Sequence, residues 1–282
     1  MDDDLAALIA FARRHPRLVV LTGAGCSTDS GIPDYRDANG DWKRSAPITY
    51  QAFVGDESAR RRYWARSLIG WRVIGHARPG PAHRALARLE SAGRVALLLT
   101  QNVDGLHRAA GSRHVIDLHG RIDTVRCLAC DARMPRAMLQ SLLLERNPDW
   151  GVLEAGTAPD GDADLDGLDF SGFSVPPCPR CGDGLLKPDV VFFGENVPRD
   201  RVSAALAALQ QADALLVVGS SLMVYSGFRF AQAAAAAAKP VAAVNLGRTR
   251  ADDLLALKVE RPVGETLAAL ADALAAVAVA PV

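Results

Sequence analysis

The sequence predicts an α/β fold in which a parallel sheet carries helices on both faces and a small cysteine-bearing module is inserted in it. Three observations predict it. Four short apolar runs alternate with helix-length amphipathic stretches, which is the pattern of βαβ units. The runs are apolar without alternation, as strands covered on both faces must be. Four of the five cysteines form two C-x-x-C pairs, Cys127/Cys130 and Cys178/Cys181, outside the alternating part.

MDDDLAALIAFARRHP opens the chain as an amphipathic helix; it is acidic where a secretory signal is basic and lacks such a signal's apolar core. The first strand, Leu18–Leu21, runs directly into TGAGCSTDSG. Residues 37–80 then break the pattern. Rich in arginine and aromatics (Trp42, Phe53, Tyr63, Trp64, Trp71), they read as a helical excursion. PAHRALARLESAG supplies a helix and Val95–Leu99 the second strand, which ends in TQNVDGLH. Residues 121–186 hold the cysteine pairs and an acidic loop, TAPDGDADLDGLD. The loop superficially resembles an EF-hand start. It lacks the Glu at the twelfth position and the flanking helices, so it reads as solvated surface. RDRVSAALAALQQA precedes the third strand, Leu215–Val218, and KPVAAVNLG contains the fourth, Val241–Val244. The expected organisation is a large domain of 1–36, 81–120 and 187–282, the excursion 37–80, and the cysteine module 121–186.

At 282 residues, 49% of them hydrophobic, the chain can bury a sizeable core. Its 32 basic and 32 acidic residues cancel, which argues against electrostatic docking on nucleic acid or anionic lipid. No apolar run approaches the roughly 20 residues that span a bilayer. The expectation is a cytoplasmic monomer that binds neither nucleic acid nor membrane.

Ligands of open α/β sheets bind at the carboxyl ends of strands. TQNVDGLH places Gln101, Asn102, Asp104 and His107 at such an end, although a hydrogen-bonded turn accounts equally for an isolated cluster. In GAGCSTDSG, Gly23 and Gly25 let the backbone turn and approach a phosphate. Thr28 stands where the third glycine of a dinucleotide fingerprint belongs, so a structural glycine turn is an equal account. GSS (Gly219, Ser220, Ser221) and Asn245 close the third and fourth strands, and His119 in LHG follows the short apolar run HVIDL. The four paired cysteines supply enough thiolates for a closed tetrahedral zinc site. Such a site has no open coordination position and is structural. An iron–sulfur cluster is the alternative. The 47 residues between the pairs must loop out.

In this order, GAGCSTDSGIPDYR, TQNVDGLH, LHG, the two C-x-x-C pairs, KPDVVFFGE, GSS and the late Asn245 resemble the sirtuin family of NAD-dependent protein deacylases. The resemblance runs from residue 22 to about 265. SAPITYQAF, RRYWARSLIGW, GRIDTVRCLAC, the 47-residue gap and GSSLMVYSGFRF look like its class II branch, which includes a mitochondrial sirtuin known for ADP-ribosyl transfer and for removing unusual acyl groups. Tyr35 stands where many members have Phe.

The resemblance implies a Rossmann-like domain and a small zinc domain, with NAD as co-substrate meeting acyl-lysine protein substrates between them. The acyl group would pass to ADP-ribose, releasing nicotinamide and 2′-O-acyl-ADP-ribose. A protein mono-ADP-ribosyltransferase and a catalytically silent NAD or ADP-ribose sensor are the alternatives. By the same resemblance His119 is the general base for a ribose hydroxyl, a task suited to an imidazole near neutral pH. Asn102 positions a water, and Asp104 with the backbone near Ile32 holds the carboxamide. Gly23, Ala24, Gly25, Ser27, Asp34, Arg36, Gln101, Val103, Gly219, Ser220, Ser221, Asn245, Leu246, Gly247 and Val263 would contact the rest of NAD, with Tyr35 sheltering the reacting carbon. Val191, Phe193, Gly194 and Glu195 would take the substrate as an added strand, Phe193 also lining the lysine tunnel. Tyr63 and Arg66 stand three apart on a helix and share a face. Their likeness to the pair of the desuccinylating branch implies a clamp for an acidic acyl group. Cys127, Cys130, Cys178 and Cys181 would hold one structural zinc.

Overall fold

The computed structural model describes residues 3–43, 47–153, 165 and 167–275. Most of the acidic loop lies outside these residues. Nine strands are described: β1 Leu18–Thr22, β2 Val95–Thr100, β3 Val115–Asp117, β4 Gly120–Cys127, β5 Arg133–Pro135, β6 Leu186–Val190, β7 Ala214–Val218, β8 Val241–Val244 and β9 Leu257–Val259. The helices are α1 Asp3–Arg14, α2 Tyr50–Gly55, α3 Glu57–Ile74, α4 Pro81–Ser91, α5 Leu106–Ala109, α6 Arg136–Arg146, α7 Arg199–Gln211, α8 Tyr225–Ala236 and α9 Val263–Ala275. Local chemistry starts several of them. Asp56 accepts the Ser58 amide at the head of α3 (2.8 Å), and Pro81 occupies the first turn of α4, where its missing N–H costs nothing.

Six strands form one parallel sheet in the order β3-β2-β1-β7-β8-β9. Counted along the chain this is 3-2-1-4-5-6, so winding reverses between β1 and β7 and opens a crevice there. Both faces are covered. Leu18 and Val20 of β1 pack with α1, α4 and α9, through Leu8, Leu86 and Leu267. Their neighbours Val19 and Leu21 pack with α7 and α8, through Leu209 and Phe230. That two-sided burial is why the strand reads as an unbroken apolar run. The short β3 and β9 add one strand at each edge of the four expected.

A second sheet, β5-β4-β6, is antiparallel. The boundary expected at 187 needs correction, because it cuts β6, whose residues pair with β4 from Gly120 to Cys127. The excursion packs against the cysteine module. Phe53, Trp64 and Leu68 of α2 and α3 share one apolar cluster with Val125, Leu139 and Leu186 of the cysteine module. Arg136 of α6 fastens the two. It is fully buried, donates to the Ser67 carbonyl at 3.1 Å, and lies 5.4 and 5.0 Å from the ring centroids of Trp64 and Trp71. Among the described residues no helix is long and apolar enough to cross a membrane.

Candidate active site at the switch point

A cleft of about 430 Å³ lies over the C-terminal ends of β1 and β7, the paired neighbours between which the winding reverses. The loops after these two strands interlock. The Gly23 amide donates to the Val218 carbonyl (3.1 Å) and the Gly25 amide to that of Gly219 (2.9 Å). A Cβ on Gly23 would stand 2.7 Å from the Ser220 Cβ, and one on Gly25 2.9 Å from the Gly219 Cα, so both positions require glycine. The amides of Ala24, Ser220 and Ser221 donate to nothing among the described residues. Three uncommitted amide donors lining one cleft at a glycine cradle fit a nucleotide pyrophosphate.

The exit of β2 builds the next part. The Ser27 hydroxyl donates to Asp104 Oδ2 (2.7 Å) and accepts from Asn102 Nδ2 (3.0 Å), whose other hydrogen goes to the Gly23 carbonyl (3.0 Å). Asp104 Oδ1 accepts the Leu106 amide (2.8 Å). Asn102 therefore has both donors committed and keeps only its side-chain oxygen for a ligand. Gln101 Nε2 donates to Ser220 Oγ at 2.6 Å, tying the β2 exit to the β7 exit. His107 is buried behind this network, with Nε2 2.9 Å from the Thr22 hydroxyl and its ring 4.6 Å from that of His83. Burial holds its pKa well below the usual range, and the His83 charge pushes the same way. His107 faces the sheet, not the cleft.

His119 sits between the two sheets, two residues after β3 ends and one before β4 begins. Gly120 makes that crossing at φ +83°, where a Cβ would stand 2.0 Å from the Asp189 carbonyl oxygen. This accounts for the glycine of LHG. Nδ1 lies 3.0 Å from the Gln101 carbonyl oxygen and Nε2 2.8 Å from Ser226 Oγ. Desolvation lowers the pKa of the ring. The Gln101 carbonyl opposes that, and the Arg201 and Arg229 charges reinforce it. The ring is therefore neutral at physiological pH.

Aromatic rings wall the cleft: Tyr35 and Phe193 each meet Trp42 edge-on, at 6.2 and 5.6 Å. Val191, Phe193, Gly194 and Glu195 all line it, but part of this edge is already paired. The Val191 amide donates to the His119 carbonyl (2.8 Å), and the Phe193 carbonyl accepts from Tyr50 (2.8 Å). The amides of Phe193 and Gly194 make no hydrogen bond among the described residues. Glu195 turns inward. Its Oε2 lies 2.8 Å from the Nζ of Lys187, a residue only 4% exposed, and accepts the Phe192 amide at 2.7 Å. The ammonium also sits 4.4 Å from the Phe192 ring centroid. This ion pair folds the 191–195 edge back on β6. Lys187→Met should therefore cost about 3 kcal/mol, the low end for a broken buried pair because Glu195 keeps a quarter of its side chain in solvent. It should also raise the KM for peptide more than that for NAD. An unchanged melting temperature with an unchanged peptide KM would rule the clamp out.

Three expected contacts lie elsewhere. Gly247 (φ +79°) packs on the Ala38 backbone, outside the cleft lining. Val263 opens α9 and is buried in the core beneath the sheet. Arg66 is the larger correction. Tyr63 lines the cleft and packs on Phe53 and Phe192, but Arg66 lines a second depression with Glu57, Arg61, Arg62 and Phe170. At 3.6 residues per turn, positions three apart diverge by about 60°, enough for neighbours on one face to reach different pockets. The other expected residues, Ile32, Asp34, Arg36, Val103, Asn245 and Leu246 among them, line the cleft. Sequence reasoning missed Trp42, Tyr225, Ser226 and Arg229, which line it too. For the last three the signal was the helical spacing within YSGFR after GSS; Trp42 carried none.

In the module, the Sγ atoms of Cys127, Cys130, Cys178 and Cys181 lie within 4.8 Å of one another. Two of the separations are 3.7 and 3.8 Å. A tetrahedron of ~2.3 Å zinc–thiolate bonds has edges of about 3.8 Å, so the four thiolates fit a structural zinc. Cys26 is buried under the nucleotide loop, 3.5 Å from the Val218 carbonyl, and takes no part.

A parallel sheet of this order, with a glycine cradle at its switch point and a four-thiolate module beside it, defines an α/β dinucleotide-binding protein of the Rossmann type. The chain belongs to the Sir2 family, the sirtuins, whose family model matches residues 23–226. It is 66% identical over 265 residues to an NAD-dependent protein deacetylase of Bordetella bronchiseptica, covering 94% of this chain and 96% of that protein. A deacetylase of the same description from Xanthomonas campestris is 67% identical over 264 residues, covering 94% and 90%. Among solved structures, one described as showing the structural basis for the mechanism and regulation of Sir2 enzymes superposes with a TM-score of 0.76 at 30% identity, covering 98% and 100% of the two chains. A Sir2–p53 peptide–NAD+ structure gives 0.73 at 29% identity, covering 95% and 96%.

Proposed function

We propose that this chain is an NAD-dependent protein deacylase, acting on acetyl-lysine at least, which moves the acyl group to ADP-ribose and releases nicotinamide. The observation that carries this reading is His119, a neutral imidazole at the cleft with Nδ1 held by a carbonyl. The relatives named as NAD-dependent protein deacetylases support the same reading. Bound NAD would supply an electrophilic ribose carbon carrying a leaving group. Ala24, Ser220 and Ser221 would hold its phosphates through their amides. Asp104, oriented by Ser27, would fix the carboxamide, and the free oxygen of Asn102 would hold a water. Tyr35, Trp42 and Phe193 would exclude bulk water from the reacting centre. His119 Nε2 would take the proton of a ribose hydroxyl. The peptide would add a strand at 191–195, using the amides of Phe193 and Gly194. The bacterial relatives, and five cysteines none of which forms a disulfide, support a place in the reducing cytoplasm.

The test is an acetyl-lysine peptide incubated with NAD. Nicotinamide and acylated ADP-ribose should form in equal amounts. Label from NAD appearing on protein instead would identify an ADP-ribosyltransferase, and NAD binding without turnover would identify a sensor.

A further inference from the structure

The base nitrogen of His119 has a partner that none of the strand-end motifs supplies. Ser226 enters from the first turn of α8, 107 positions along the chain, and places Oγ 2.8 Å from Nε2. A carbonyl oxygen only accepts, so the Gln101 contact keeps a proton on Nδ1 in both charge states. Nε2 is then the atom that gains or loses one. With the ring neutral, the Ser226 hydroxyl donates to Nε2. With the ring protonated, Nε2–H donates to Oγ, because a hydroxyl has lone pairs as well as a hydrogen. The second bond is charge-assisted and about twice as strong.

The charged groups that face the ring are Arg201 of α7 and Arg229 of α8, both cations and neither able to accept a proton. From the 191–195 edge the Val191 amide donates to the His119 carbonyl oxygen, not to the ring. From the exit of β2 comes the Gln101 carbonyl, already used by Nδ1. An imidazolium formed here is desolvated, flanked by positive charge, and has one acceptor for its new proton among the described residues, Ser226 Oγ.

We propose that Ser226 is a positioning residue that receives the Nε2–H of His119 after the base has taken the ribose proton, and thereby stabilises the protonated base. The proposal rests on His119 being that base. In the step, the ribose O–H bond breaks, the electron pair stays on the ribose oxygen, and the Nε2–H bond forms. The Ser226 hydroxyl yields Nε2 while the proton passes, then turns a lone pair to it. No bond to Ser226 is made or broken.

Ser226→Ala should lower kcat on the order of tenfold, the low end for a lost hydrogen bond to a charged group. It should leave the KM for NAD nearly unchanged. The protonated ring loses more than the neutral one, so the pKa of His119 falls and the acid limb of kcat/KM moves to lower pH. Ser226→Thr should restore both, and Ser226→Cys, near in size but a weak acceptor, should behave like alanine. NAD affinity and melting temperature of each variant report folding. An acid limb that stays put or moves to higher pH, or a kcat within twofold of the parent, overturns the proposal. His119→Ala assayed alongside separates the two failures. An active His119→Ala would sink the base itself, whereas an inactive one beside a normal Ser226→Ala would remove only the role of Ser226.

Discussion

Replacing His119 with alanine is expected to lower turnover by about 100-fold or more, while NAD binding and the melting temperature stay close to those of the parent. The ring touches the cleft through one nitrogen and the backbone through the other, so its removal takes away a proton acceptor and little packing. Desolvation, with help from Arg201 and Arg229, holds the pKa below the ordinary histidine value near 6.5. The sign follows directly. The neutral, base-competent form persists below pH 6.5, and the acid limb of kcat/KM should fall there and vanish in the variant. His107 cannot substitute, since it is buried behind the strand ends and does not line the cleft. Retention of a tenth of parental turnover by His119→Ala would end the assignment, because a positioned base contributes roughly 10²–10⁴-fold.

The second large effect is expected at the metal. Cys178→Ser should strip the single zinc and destabilise the module by several kcal/mol, since metal binding there is also folding energy. At about 2–4 °C per kcal/mol for a chain of this size, the melting temperature should drop by roughly 10 °C or more. Turnover should fall as a secondary effect. The strand that carries Cys127 begins one residue after His119, so a loosened module loosens the base. Cys26→Ala should keep full zinc content. Stoichiometric zinc in Cys178→Ser with an unshifted melting curve would refute the four-thiolate site.

Four strands of the main sheet were legible because burial on both faces leaves no polar positions in them, as Leu18–Leu21 illustrates. β3 and β9 were not, since three residues are too few for any periodicity to register. The boundary expected at 187 fell inside β6 because an apolar run does not say which strand it pairs with. The residues that precede helices or end strands announced themselves by type, as Asn102, Asp104 and the glycines did. The far wall of the cleft did not. Ser226 acquires meaning only from His119, and nothing local encodes a contact across so much chain. The pair Tyr63 and Arg66 shows the opposite error, in which correct helical spacing was asked to specify a shared pocket that α3 divides.

The closing of the cysteine module by its sulfurs has a consequence for how freely this part of the chain can change. The two knuckles are separated by 47 residues, and both ends of that span are tied to neighbouring strands. The entropy lost in closing such a loop grows only with the logarithm of its length, so doubling the span would cost about 0.6 kcal/mol. Added length between its packed positions therefore costs little, whereas Arg136, Leu139, Leu143 and Phe173, all buried within the span, are not free to change. Relatives should therefore differ in the length of this span more than at its packed positions.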